Sequence, residues 1–109
     1  MFVFARLENL RTIYVCFVMD FDWDRTNIQH IARHSITPEE IEQVFANNPV
    51  EIDFATVNDE DRWTIIGHTN ASRFFFVVFT MCGNLLRPVT AFEASKRFRD
   101  EYARAKRFY

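Results

Sequence analysis

The segment from Phe21 to Phe45, FDWDRTNIQHIARHSITPEEIEQVF, constrains the fold more than any other part of the chain. It carries the start and stop signals of two short helices in 25 residues. Asp24 is placed to cap a first helix running to about His34, and Ile28, Ile31 and Ala32 recur at the spacing of one helical face. Thr37-Pro38-Glu39-Glu40 opens the second helix. Thr37 caps, Pro38 takes the first helical position, where no N–H is needed, and Glu40 completes a capping box. Ile41, Val44 and Phe45 form its apolar stripe, and Asn47-Asn48-Pro49 stops it, because the residue before a proline is driven out of the helical region.

Beyond Pro49 the apolar period changes from helical to alternating. Glu51 to Val57 reads as a strand, and the Asn58-Asp59-Glu60-Asp61 cluster turns the chain. Arg62 to His68 places Trp63, Ile65 and Gly67 on one face and Arg62, Thr64, Ile66 and His68 on the other. After a loop at Asn70-Ala71-Ser72, Arg73 to Thr80 is almost wholly apolar, as suits a central strand covered on both sides. Gly83-Asn84 is a two-residue hairpin signal, and Pro88 marks the last strand, Leu85 to Ala91, as an edge or a bulge. A helix from about Glu93 to Lys106 aligns Ala94, Phe98, Tyr102 and Ala105 on one stripe. The expected architecture is α+β: two N-terminal helices, a four-stranded antiparallel sheet and a C-terminal helix. Residues 1–19 read as an N-terminal extension, or as one loose strand from Thr12 to Val18, with the domain proper at 20–109.

One such domain buries roughly two-thirds of its unfolded surface, and the 13 Phe residues make that core bulky. Cys16 and Cys82 form no C-x-x-C motif and no disulfide framework, as expected of two thiols in a reducing cytosol. The apolar run Ile13 to Met19 is far shorter than the roughly 20 residues a membrane span needs, and acids rather than a cleavage site follow it. A cytoplasmic protein with no membrane partner is expected. The net charge is −2, but it is unevenly spread. Ser35 to Asp61 holds Glu39, Glu40, Glu42, Glu51, Asp53, Asp59, Glu60 and Asp61 with no Lys or Arg, whereas Arg87 to Arg107 is rich in bases. Such polarity suits a basic face for phosphate and an acidic face for a basic partner.

Several pieces recur in order as a family pattern. Phe21, Trp23 and Asp24 form an F-x-W-D opening, and Arg33-His34 stands where a Lys-His pair is usual. Arg62 with Ile65-Ile66-Gly67, Arg73 with Val77-Val78-Phe79-Thr80, Arg87 with Val89-Thr90-Ala91, and Lys96-Arg97, Arg99 and Tyr102 continue it. Over about Phe21 to Arg104 the chain resembles the BrnT family, the ribonuclease half of bacterial type II toxin–antitoxin pairs. The resemblance implies a RelE-like toxin fold and metal-free RNA cleavage. It also implies a DNA-binding antitoxin, ribbon-helix-helix in type, either within a hetero-oligomer or beside a toxin homodimer. The chain departs from the pattern at Phe92-Glu93, where two basic residues are usual, and at Phe98, where Glu is common.

Metal-free cleavage of RNA needs a proton removed from the 2′-hydroxyl, charge stabilised on the phosphorus centre and a proton returned to the leaving oxygen. Arg62, Arg73 and Arg87 fit the electrostatic part, since a guanidinium grips phosphate oxygens in two places, and His68 fits the proton transfer. These four are the candidate catalytic residues. Lys96, Arg97, Arg99 and His34 are the candidate RNA-binding residues. His30 and His34 share a helix face, but no H-E-x-x-H motif or nearby Cys adds a third ligand, so neither a metal nor another cofactor is expected. The competing reading is a non-catalytic module that keeps the toxin fold and binds a protein through its acidic middle.

Overall fold

The computed structural model describes residues 5–6 and 20–106. Its elements run β1 (Ala5–Arg6), α1 (Arg25–Ala32), α2 (Pro38–Ala46), β2 (Val50–Val57), β3 (Glu60–His68), β4 (Phe74–Cys82), β5 (Leu85–Glu93) and α3 (Lys96–Lys106). The sheet order is β1-β2-β3-β4-β5. The four long strands form the expected antiparallel meander, and the two-residue β1 pairs parallel to β2 at Val50 and Glu51. The candidate strand Thr12 to Val18 lies outside the described residues.

Local chemistry sets the boundaries. Asp24 caps α1 by accepting from the Asn27 N–H, while the Asn27 side chain accepts from the Asp24 N–H. Thr37 and Glu40 make the same reciprocal exchange at α2. The first helix stops at Ala32 rather than His34, because Ser35 adopts a φ of 59° and the Ile36 N–H reaches back to the Ile31 carbonyl. That reversal brings Ile36 onto the same core as Ile31. The β2–β3 turn is only Asn58-Asp59, both at positive φ (54° and 64°), as a twist-matched hairpin turn requires. Glu60 and Asp61 therefore belong to β3 and not to the turn. Pro88 sits where the β4–β5 register slips, so the bulge expected from it is present.

Alternation divides the sheet into two packed faces. Ile65, Phe75, Val77 and Phe79 join Ile31 of α1 and Ile41 and Val44 of α2 in one core. Ile66 and Phe76 lie on the other face with Ala94, Tyr102 and Phe98 from the α3 region. The central strand β4 is thus covered on both sides, which is why its sequence lacks polar alternation. Glu93 still pairs with Phe75 in the sheet, and this delays α3 to Lys96. Among the described residues no helix is long and apolar enough to cross a membrane.

Candidate functional site

Register assigns the candidate side chains to faces. On the α3 face, α3 meets the rows containing Ile66, Phe74 and Phe76. One row nearer the hairpin tips, Thr64 pairs with Val78 and Val78 with Thr90. The next row holds Arg87 opposite Thr80, and one further step of the β3–β4 register sets Arg62 on the other side of Thr80. Thr80 is buried and donates from Oγ1 to the Asp61 carbonyl at 2.7 Å. Two arginines therefore flank a buried threonine on the same face.

Each of these arginines is held by carboxylates. Arg62 donates from Nε to Glu60 at 2.9 Å, and the spacing of two along a strand keeps both on one face. Arg87 lies 3.4 Å from Asp22 and 2.9 Å from Asp24. The Asn27 N–H, and then the Arg87 guanidinium, hold the Asp24 carboxyl below its ordinary range. Burial works against the Arg87 charge, yet Asp24 and Asp22 outweigh it and leave its pKa raised. The segment at Phe21 runs beside β5, with the Asp22 N–H bonded to the Leu86 carbonyl. Buried Asn27 completes the connection by donating to the carbonyls of both Asp22 and Pro88.

The other two catalytic candidates stand elsewhere. His68 shares the face of Arg62, but six residues along the same strand is about 20 Å. Its ring lies 6.0 Å from that of Tyr102 and 5.7 Å from that of Phe74, and Nδ1 is 3.0 Å from the Thr69 carbonyl. Arg73 belongs to the opposite face. It donates to Glu40 at 2.7 Å and to the Ser35 carbonyl at 3.3 Å, and it lies over the Phe75 ring.

A family model described as "Ribonuclease toxin, BrnT, of type II toxin-antitoxin system" matches residues 23–97. The chain belongs to the BrnT ribonuclease toxin family. A crystal structure of the Brucella abortus ribonuclease toxin BrnT is similar at 25% identity and a TM-score of 0.52, over 72% of this chain and 100% of that one. No curated protein sequence matches the chain. The F-x-W-D opening of the BrnT pattern now has a physical meaning. Phe21 and Trp23 pack on the first core, and Asp24 joins the α1 cap to Arg87.

The BrnT departures are equally placed. Glu93 lies 3.6 Å from Arg73 and adds a second carboxylate to it. Phe92 is half-exposed, 6.3 Å from the His34 ring. On α3, Lys96 pairs with Asp100 and Arg97 with Glu101 across one helical turn, and Arg99 is exposed. The pairing of Asp22 and Asp24 with Arg87, and of Glu60 with Arg62, is not among the contacts expected from sequence. The E-x-R spacing of Glu60 and Arg62 was a usable signal, whereas the contact of Asp22 with Arg87 depends on tertiary structure alone.

Proposed function

We propose that this toxin cleaves RNA without a metal at the Arg62–Thr80–Arg87 row, with His34, His68, Lys96, Arg97 and Arg99 serving neighbouring nucleotides toward α3. The observation that carries this reading is the pair of guanidinium groups on one sheet face, each fixed by carboxylates before any substrate arrives. Fixed donors cost little reorganisation when charge develops on phosphorus. Arg has five N–H donors, so an arginine bonded to carboxylates keeps others for a phosphate oxygen. In the step itself the 2′-oxygen loses its proton and bonds to phosphorus, the P–O5′ bond breaks, and solvent water protonates the leaving 5′-oxygen, giving a 2′,3′-cyclic phosphate and a 5′-hydroxyl. Glu60 is the carboxylate nearest Arg62 and is suited to accept the 2′-hydroxyl proton. Arg73, on the opposite face, serves to tie α2 to the sheet.

The partner in this reading is a cognate antitoxin of the ribbon-helix-helix type, encountered in the cytoplasm. The non-catalytic alternative draws on one observation: Arg73 is doubly paired, and Phe92-Glu93 replaces two bases of the family pattern. The deciding experiment incubates antitoxin-free protein with single-stranded RNA in EDTA and maps the ends. The expected result is cleavage with cyclic phosphate ends, lowered roughly 10²-fold in Arg87→Ala, the scale of losing one transition-state donor. RNA left intact both with and without ribosomes would favour the interaction module.

A further inference from the structure

The sheet face that carries α1 and α2 is not filled to its end. A row of rings crosses it: Phe21 to Phe45 at 5.6 Å, Phe45 to Phe79 at 5.2 Å, Phe79 to Trp63 at 5.6 Å and Trp63 to Phe54 at 5.3 Å. Phe45 of α2 lies on this row, and Phe54 on β2 ends it 49% exposed. Beside Trp63 and between the two hairpin tips lies a cleft of about 450 Å³ whose lining includes Asp59, Asp61, Trp63 and Met81, together with Glu60 and Thr80 of the arginine row. Phe54, Trp63 and Met81 give this end of the face an apolar floor, and its rim is acidic.

We infer that this surface, Phe54, Trp63 and Met81 rimmed by Asp59 and Asp61, docks a segment of the antitoxin that carries an apolar side chain flanked by Lys or Arg. The inference rests on the toxin reading above, which supplies the antitoxin. Charge selects the occupant. The chain from Ser35 to Asp61 has eight acids and no Lys or Arg, and among the described residues Asp59 has no cation within ion-pair distance. The Asp59 and Asp61 carboxylates attract a basic protein segment. A second copy of this chain fits less well, because the bases Lys96 and Arg97 of α3 already pair along their own helix. The stem of a partner Arg or Lys lies readily along an exposed ring while its charge reaches a carboxylate.

The test measures binding of a cognate antitoxin, taken from the reading frame adjoining this chain's gene where that frame encodes a ribbon-helix-helix protein, to wild type, to Phe54→Ala and to the double variant Asp59→Lys/Asp61→Lys, at low and high salt. Thermal melts confirm that each variant folds, and the exposed Phe54→Ala keeps the test valid if the double variant does not. Phe54→Ala should weaken the dissociation constant by about tenfold or more, the scale of one interface anchor. The double variant should flatten the salt dependence, and Phe54→Ala should cleave RNA as wild type does. Wild-type affinity and salt slope in the variants would overturn the inference, as would an effect confined to self-association of this chain. If wild type neither binds the antitoxin nor cleaves RNA, the toxin reading fails and this surface fails with it. A wild type that does both, beside variants that bind normally, places the failure in the surface alone.

Discussion

Arg87 on the last long strand lies 2.9 Å from Asp24, the residue that caps the first helix. One carboxylate therefore closes a helix end and fixes a candidate phosphate-binding arginine. The two duties separate by substitution. Asp24→Asn keeps a capping side chain and loses the charge, whereas Asp24→Ala loses both. Asp24→Ala should lower the thermal midpoint by several degrees and Asp24→Asn by less, while both disturb Arg87 and slow cleavage. Because the Asp24 carboxyl is lowered in the fold, its contribution is present above the ordinary carboxylate range and is lost as pH falls through the lowered value. Unfolding midpoints followed down to acid pH should therefore fall less steeply in Asp24→Asn than in wild type.

Arg62 and Arg73 should respond in opposite ways. The Arg62–Glu60 pair is about half exposed, and such pairs contribute about 0–1 kcal/mol. Arg62→Ala should melt within a few degrees of wild type and cleave RNA about 10²-fold more slowly. Arg73 is more enclosed and gathers Glu40, Glu93 and the Ser35 carbonyl, so Arg73→Ala should cost about 1.5–3 kcal/mol in denaturant unfolding. Single-turnover cleavage below the unfolding transition should then be little changed in Arg73→Ala. The reverse pattern would move the reactive centre to the α2 face.

Gly67 marks where β3 passes closest to α2. A Cβ built there lies 2.8 Å from Val44 Cγ1 and 3.2 Å from Pro49 Cβ. Gly67→Ala should therefore destabilise the protein by about 1–3 kcal/mol, the usual cost of forcing an extra methyl into a packed site. Combining it with Val44→Ala should give a loss smaller than the sum of the two, because the deleted methyls vacate the contested space. Additive losses in denaturant titrations would show that the strand shifts and the contact is not shared.

Where a residue type has one local use, the sequence was sufficient. Thr37, Pro38 and Glu40 define a helix start whatever the chain does elsewhere, and they begin α2 as expected. The alternation in β3 likewise assigned Arg62 and His68 to the face of Ile66. What escaped depended on distance through space. Arg62, His68, Arg73 and Arg87 share a chemistry but not a location, since strand length separates His68 from Arg62 and the opposite face takes Arg73. The reach of Arg87 to Asp22 and Asp24 arises only when the Phe21 segment lies along β5. No periodicity reports that contact.

Tyr102 offers a test of the α3 docking that is independent of RNA. Its side chain is 6% exposed, packed with Phe74 and His68, and burial pushes its phenol up to about 12. The fold favours the neutral phenol, so the stability that Tyr102 contributes is complete below pH 10, where the unfolded phenol ionises. It is lost as pH rises through about 12. Absorbance at phenolate wavelengths should show one tyrosine titrating late, together with loss of the folded circular dichroism signal. Tyr102→Phe should keep the α3 packing, remove the late titration and hold its unfolding midpoint better than wild type between pH 10 and 12. A Tyr102 that ionises near pH 10 in the intact fold would mean that α3 stands away from Phe74 and Phe76 in solution.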